Sequence, residues 1–246
     1  MLPPFSESDP WLPDLTGLLV LPQDIRLSGL ALAAGGTAIA HAWPLPSGGS
    51  LRSITKGMGR KRQTGFLAGR LCACRSLSEM NIAAAFPLPV RDRMPVWPFG
   101  VLGSISHCAS LAVAMTAPAS RYRVLGVDVE TVIDPATALS IQHSICSDDE
   151  LTVAESIIPD RAHALTLIFS AKEALYKALY PLVGRYKDFH AAQVTGCCAG
   201  TLLLRLTEDW NAQWRSGTHV QVRFAWPGHE VLTAVWLPVV TNRPGC

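Results

Sequence analysis

The sequence predicts an α+β protein built from two similar halves, and three observations support this prediction. In each half, a strand pattern precedes a long helix pattern, and further strand patterns follow the helix. The 246 residues are 49% hydrophobic and 16% charged, which favours a large core and excludes a disordered or coiled-coil chain. Residues 1–125 carry 12 basic and 6 acidic side chains, whereas residues 126–246 carry 9 and 13. We therefore divide the chain into halves of residues 1–120 and 121–246.

The first half is predicted to contain loops around a strand and then one long helix. The stretch Gly35–Ala42 has a strand pattern, and residues 58–79 place apolar side chains at helical spacing. Four prolines between Phe86 and Pro98 indicate a loop. The uncharged stretch Leu27–Leu51 is interrupted by prolines and glycine pairs, so we interpret it as strands and turns and expect no membrane span.

The second half is predicted to begin after a boundary between Ala119 and Arg123. The apolar runs Leu111–Ala117 and Arg123–Val129, joined by a loop at Pro118, predict a hairpin. Ser147 followed by Glu150 has the capping-box pattern of a helix start. A strongly amphipathic helix is predicted for residues 161–180. The strands predicted after it are Ala192–Leu206, Val220–Trp226 and Val231–Leu237.

Net charge and cysteine content limit the classes of partner and compartment. The formal net charge is only +2, whereas proteins that coat nucleic acid usually have a larger basic excess, so no nucleic-acid partner is expected. The seven cysteines are odd in number and lack zinc-site spacing, which is typical of reduced thiols. The first residues lack the basic start of a signal peptide. We expect a cytoplasmic monomer.

Two carboxylates lie in the segment Gly126–Glu130. Residues two apart on a strand point to the same face, so Asp128 and Glu130 project together, opposite Val127 and Val129. Paired carboxylates suit a hard cation such as Mg²⁺, whose shell is often completed by phosphate and water. The alternative is an exposed strand face with two ordinary acids.

Further polar residues could act on an anion. Glu173 and Lys177 lie four apart on the predicted helix, either as a site carboxylate and a phosphate-neutralising cation or as a surface salt bridge. Ser106 and His107 follow a glycine-containing stretch and offer hydrogen-bond donors. The basic half could thus hold an anion while the acidic half holds a metal, although the two halves could also simply attract each other or present solvated surfaces.

Taken in order, four motifs resemble those of the 4′-phosphopantetheinyl transferases, in particular the surfactin- and enterobactin-type group that activates siderophore and secondary-metabolite synthases. The motifs run from about residue 50 to residue 180. They are Arg62…Phe66…Gly69-Arg70-Leu71-Cys72-Ala73, Pro95-Val96-Trp97-Pro98…Gly103-Ser104-Ile105-Ser106-His107, Gly126-Val127-Asp128-Val129-Glu130 and Phe169-Ser170-Ala171-Lys172-Glu173-Ala174…Lys177. The segment Val90–Arg93 departs from the family pattern, because it lacks the Gly and Lys that many members carry there.

The resemblance implies two pseudo-symmetric halves with coenzyme A and Mg²⁺ in the cleft between them. Phosphates of coenzyme A would be bound by basic and polar side chains, with either Arg91 or Arg93 replacing the missing Lys. This phosphate-binding set is Arg62, Arg70, Arg91 or Arg93, Ser106, His107 and Lys177. A serine of an apo carrier protein would attack the phosphorus next to pantetheine, and 3′,5′-ADP would leave.

The resemblance also assigns Asp128, Glu130 and Glu173 to Mg²⁺. Glu173 would act as the base for the carrier serine, and Lys177 would neutralise charge on the leaving phosphate. Repulsion among the three acids predicts raised pKa values in the metal-free site. It further predicts that Asp128→Ala keeps or slightly raises thermal stability without metal and greatly reduces turnover.

Two other functions use the same residues. Three carboxylates and a cation also suit a metal-dependent phosphodiesterase or nuclease, which would want a second metal or a stronger nucleic-acid footprint. A non-catalytic module that binds coenzyme A or a carrier protein is the other alternative. A mass gain on an apo carrier incubated with coenzyme A and Mg²⁺ would separate the three.

Overall fold

A computed structural model describes residues 11–12, 15–32, 57–83, 86, 88–91 and 94–239. The predicted strand Gly35–Ala42 and the candidate residue Arg93 lie outside the described residues. Within the described part of the chain, no helix is long and apolar enough to cross a membrane.

The first half contains a three-stranded antiparallel sheet covered by one long helix. Its elements are α1 (Leu15–Leu19), β1 (Arg26–Ala31), α2 (Arg60–Ser78), β2 (Val90–Arg91), β3 (Met94–Pro95), β4 (Val101–His107) and β5 (Leu111–Pro118). The sheet order is β1-β5-β4. Helix α2 packs on this sheet through a core that includes Leu71 and Leu77 of the helix, Leu30 of β1 and Ala114 of β5.

The second half contains a five-stranded antiparallel sheet and three helices. Its elements are β6 (Tyr122–Thr131), α3 (Pro135–Ile145), α4 (Asp148–Glu155), α5 (Arg161–Val183), a 3₁₀ turn (Phe189–Ala191), β7 (Ala192–Cys198), β8 (Thr201–Leu206), β9 (His219–Ala225) and β10 (Glu230–Pro238). The sheet order is β6-β10-β9-β8-β7. The predicted capping box forms at α4, where the side chains of Ser147 and Glu150 each bond the other's backbone N–H.

The two halves share one topology. In each half, the strand that precedes the long helix pairs with the last strand of that half, which in turn pairs with the strand before it: β1-β5-β4 in the first and β6-β10-β9 in the second. Helix α2 therefore corresponds to α5, β1 to β6 and β5 to β10. The prediction of an α+β fold with two similar halves is confirmed.

The predicted hairpin between Leu111–Ala117 and Arg123–Val129 is wrong. Strand β5 pairs with β1 and β4, whereas β6 pairs with β10. The two strands share a buried cluster instead, which includes Met115 of β5 and Val127 of β6. The predicted strand Ala192–Leu206 is two paired strands, β7 and β8, separated by a turn at Gly200, whose φ is 74°.

Helix α5 and strand β6 approach each other closely at Gly126. Gly126 of β6 lies so near α5 that a Cβ atom there would be 2.2 Å from the carbonyl oxygen of Ala174. Only glycine allows this approach. Because residues two apart share a strand face, Asp128 and Glu130 also point towards α5, while Val127 and Val129 pack into the core on the other face.

Candidate active site

Asp128 is the most buried acid of the site, and its carboxylate contacts three residues from two other elements. Its side chain is 1% exposed. Lys177 Nζ of α5 lies 2.5 Å from Asp128 Oδ1. Ser106 Oγ of β4 donates to Oδ1 at 2.7 Å, and Ser170 Oγ of α5 donates to Oδ2 at 2.7 Å. The ammonium of Lys177 also donates to Ser106 Oγ at 2.9 Å.

A serine of β4 brings the two halves together at this point. Ser104 Oγ accepts a hydrogen bond from the backbone N–H of Val127 at 3.0 Å, so the side chain takes a place that a strand partner would fill. Ser106 is two residues further along β4 and lies on the same face, which brings it to Asp128. The contact between β4 and β6 thus joins the first half to the acid-bearing strand.

Glu130 and Glu173 lie half-buried near Asp128. Desolvation, then the charges of Asp128 and Glu173, raise the pKa of Glu130 to about 8, although Lys177 acts in the opposite direction. Desolvation also raises the pKa of Glu173, Lys177 lowers it, and Asp128 adds to the rise. These directions agree with the raised pKa values predicted for clustered acids without a metal.

The donors at this point suit a hard divalent cation. All three side chains offer carboxylate oxygens, which Mg²⁺ prefers. Among the described residues, neither Glu130 nor Glu173 has a hydrogen-bond or ion-pair partner, so both retain their lone pairs. Within the same part of the chain, no three His, Cys, Asp or Glu side chains converge closely enough to hold one ion. The type of donor thus fits Mg²⁺, but the described side chains do not converge on one point, so the ligand set stays a prediction.

Arg70 of α2 is a buried cation with an unused donor. Its residue is 6% exposed, and its guanidinium lies 3.4 Å from the ring centroid of Phe66. Nη1 donates to the carbonyl oxygen of Phe66 at 3.3 Å, but Nε has no partner among the described residues. Desolvation lowers the pKa of Arg70 to about 10, so the group stays charged at neutral pH. A buried charge with a free N–H donor is suited to an anion such as phosphate.

His107 lies between the basic helix and Lys177. The imidazole packs on Gly65 of α2, where a Cβ atom would be 2.6 Å from Nδ1. Desolvation, followed by the positive charges of Lys177 and Arg70, lowers the pKa of His107. Arg62 is exposed in the first turn of α2 and adds to this positive field. Arg91 is exposed on β2.

A largely apolar cavity of about 520 Å³ opens beside Lys177, between the halves. Trp97, Ser104, Leu125 and Tyr180 are among the residues that line it. Its volume falls in the usual range for small-molecule sites. The cavity therefore adjoins the site residues rather than lying apart from them.

Comparisons with known proteins agree with this arrangement. A family model described as the 4′-phosphopantetheinyl transferase N-terminal domain matches residues 52–117, and one described as the 4′-phosphopantetheinyl transferase superfamily matches residues 124–235. The chain is 39% identical over 193 residues to enterobactin synthase component D of Salmonella typhi, which covers 78% of this chain and 77% of that protein. The chain belongs to the 4′-phosphopantetheinyl transferases.

A second relative lies further away. The chain is 34% identical over 147 residues to 4′-phosphopantetheinyl transferase Svp of Streptomyces mobaraensis, covering 59% of this chain and 60% of that protein. Membership of the family makes the chain an enzyme that transfers phosphopantetheine to carrier proteins.

One motif residue of this phosphopantetheinyl transferase faces away from the site. Lys172, next to Glu173 in the sequence, is buried with Glu150 of α4, and its Nζ lies 2.6 Å from Glu150 Oε1. It also donates to the carbonyl oxygen of Ile145 at 2.8 Å. Lys172 therefore ties α5 to α3 and α4, which is a structural role.

The structure places Ser106, Asp128 and Lys177 in direct contact. Glu130 and Glu173 are coupled to them through their charges, and Arg70 and His107 lie on the first-half side. Sequence reasoning gave no role to Ser170, which the structure brings to Asp128. Its spacing, three residues before Glu173 and seven before Lys177, puts it on the same helical face and could have indicated this.

Proposed function

We propose that this enzyme takes phosphopantetheine from coenzyme A with the help of Mg²⁺ held by Asp128, Glu130 and Glu173. The observation that carries the proposal is the continuity of charge across the junction of the halves. Positive groups run from Arg70 past His107 to Lys177, and Lys177 contacts the buried carboxylate of Asp128. A doubly charged pyrophosphate and a divalent cation would each meet groups of opposite charge there.

The first half is proposed to bind the substrate. Arg70 would direct its free Nε–H to a phosphate, and His107, Arg62 and one of Arg91 or Arg93 would add positive charge or donors. The apolar cavity beside Lys177 has room for less polar parts of coenzyme A. Residues 1–120 would thus hold phosphates, and residues 121–246 would hold the metal and the catalytic groups.

The second half is proposed to carry out the transfer. When bound, Mg²⁺ would supply Lewis-acid stabilisation of the phosphate charge. The hydroxyl oxygen of the carrier serine forms the new bond to phosphorus, the bond to 3′,5′-ADP breaks, and the serine proton passes to Glu173 directly or through water. Lys177, fixed by Asp128 and Ser106, would neutralise charge on the phosphates.

The names of the relatives point to a class of carrier. Three relatives named enterobactin synthase component D are 37–39% identical to this chain. We therefore propose carrier domains of siderophore or related secondary-metabolite synthases as acceptors. A cytoplasmic location and a monomeric state stay predictions.

A transfer assay tests the proposal. The enzyme is incubated with coenzyme A, an apo carrier protein and Mg²⁺, and the carrier mass is followed with and without a chelator. We expect a phosphopantetheine adduct that requires the metal and is nearly lost in Glu173→Gln. The matched control Glu155→Gln, which changes a surface acid paired with Arg161, should leave the rate unchanged. An unmodified carrier together with hydrolysis of DNA or of a simple phosphodiester would instead favour the hydrolase alternative.

A further inference from the structure

We propose that Ser170, braced by Thr233, is a positioning residue that orients the carboxylate of Asp128 for a divalent cation. This inference rests on the proposed function, because it concerns the metal site of the same reaction. The two hydroxyls lie on different elements, Ser170 on α5 and Thr233 on β10, and both residues are fully buried. Neither touches the cation or substrate in this proposal; each acts through Asp128.

The direction of the hydrogen bonds follows from the chemistry of the partners. An ionised carboxylate can only accept, so the single hydroxyl proton of Ser170 goes to Asp128 Oδ2, at 2.7 Å. Thr233 Oγ1 donates its proton to the backbone carbonyl oxygen of Ser170 at 3.0 Å and lies 2.9 Å from Ser170 Oγ. Thr233 therefore fixes the backbone of α5 at Ser170, beside Asp128.

Ser170 fixes the carboxylate in a way that the other two partners cannot. Ser106 and Lys177 both bind Oδ1, whereas Ser170 binds Oδ2. The χ2 torsion of aspartate is broad, so a hydrogen bond to each oxygen narrows the range of the carboxylate plane. The bond to Oδ2 supplies the second of these two anchors.

Counting lone pairs identifies the oxygen left for the cation. A carboxylate has about four acceptor positions. Two on Oδ1 are used by Ser106 and Lys177, and one on Oδ2 is used by Ser170. The remaining position is on Oδ2, the oxygen that Ser170 holds. Ser170 thus acts on the atom that would bind the metal.

The first half contains the same pair of residues without an acid. Ser76 of α2 lies 2.6 Å from Thr116 Oγ1 of β5, and it donates to the backbone carbonyl oxygen of Arg26 at 3.1 Å. Thr116 lies opposite Arg26 in the sheet, as Thr233 lies opposite Asp128. The helix-serine and strand-threonine pair therefore occurs in corresponding elements of both halves. Only in the second half does it bind a carboxylate.

This correspondence supplies a matched control. Ser170→Ala and Ser76→Ala each remove a fully buried hydroxyl bonded to a strand threonine, so a purely structural role predicts the same effect for both. A role in orienting Asp128 predicts a difference at the metal site alone. Outer-shell partners of metal ligands typically change metal affinity about 10–100-fold.

The experiment measures Mn²⁺ binding to the enzyme without coenzyme A by electron paramagnetic resonance, together with thermal melting. We expect Ser170→Ala to weaken Mn²⁺ binding by about tenfold or more and to raise the Mg²⁺ concentration needed for half-maximal transfer. Ser76→Ala should melt at a similarly reduced temperature and bind Mn²⁺ as the wild type does. Thr233→Val, which keeps the shape and leaves the Ser170 hydroxyl in place, should give a smaller loss of Mn²⁺ affinity and serves if Ser170→Ala does not fold.

Two different results would overturn the proposal, and only the second would also overturn the proposed function. If the wild type binds Mn²⁺ while Ser170→Ala and Thr233→Val bind it equally well, the serine has only a structural role and the proposed function stands. If the wild type binds no Mn²⁺ and transfers phosphopantetheine without any divalent cation, the metal assignment itself is wrong.

Discussion

Removal of the Asp128 carboxylate is the most informative single change. Repulsion among three acids by itself predicts that Asp128→Ala does not destabilise the metal-free enzyme. In the structure, however, the same carboxylate pairs with Lys177 and accepts hydrogen bonds from Ser106 and Ser170. Its loss leaves those donors without their partner in a site where Asp128 is 1% exposed. The structure therefore predicts that Asp128→Ala lowers the stability of the metal-free enzyme, which is the opposite of what repulsion alone predicts.

The size of the effect can be bounded. Breaking a fully buried ion pair costs about 3–5 kcal/mol, but Lys177 is 28% exposed and can be partly solvated. Relief of repulsion at Glu130 and Glu173 offsets some of the remainder. We expect a net loss of about 1–2 kcal/mol in the free energy of unfolding, or roughly 2–8 °C in melting temperature for a chain of this size.

The assay is thermal melting in the presence of a chelator, with transfer measured separately at saturating Mg²⁺. Glu130→Gln is the comparison, because it removes the repulsion without breaking a hydrogen bond seen among the described residues, and it should melt at or above the wild-type temperature. Asp128→Ala should also lose transfer by roughly two orders of magnitude, about 3 kcal/mol. A metal-free melting temperature equal to or above that of the wild type would refute the argument from hydrogen bonds. Near-normal turnover would refute the metal assignment.

Three further changes test other parts of the site. Arg70→Ala should weaken coenzyme A binding by about 1.5–3 kcal/mol, measured by calorimetry. The control Arg75→Ala removes a surface ion pair on the same helix and should leave coenzyme A binding unchanged. Equal affinities of the two variants would place the phosphate elsewhere. Lys172→Met leaves the buried Glu150 unpaired and should cost about 3–5 kcal/mol of stability in denaturant titrations; a loss below about 1 kcal/mol would contradict the structural role. The pKa of His107 is lowered in the free enzyme, and a bound phosphate would raise it. Binding of coenzyme A would then be coupled to uptake of a proton by His107. The affinity for coenzyme A should therefore strengthen as the pH falls from the raised pKa of the complex to the lowered pKa of the free enzyme. A pH profile of KM that His107→Gln leaves unchanged would exclude this contact.

Local features of the site followed from the sequence because backbone geometry fixes them. The two-residue period of a strand placed Asp128 and Glu130 on one face and Val127 and Val129 on the other, as the structure shows. The capping box at Ser147 likewise depends only on neighbours along the chain. Each of the four motifs is only modestly specific by itself. Their occurrence in the family's order is much more specific, and that order was sufficient to identify the family.

Tertiary structure decided which of these groups are partners. Helical spacing indicated a pairing of Lys177 with Glu173, yet the lysine contacts Asp128 from β6 and Ser106 from the other half. Lys172, adjacent to the candidate base, is buried against Glu150 instead. Strand β5 pairs within its own sheet and shares only a buried cluster with β6 among the described residues. Periodicity specifies the direction of a side chain relative to its own backbone. The atoms that it meets depend on how elements distant in the sequence pack, and here on a glycine at position 126 that lets α5 approach β6 closely.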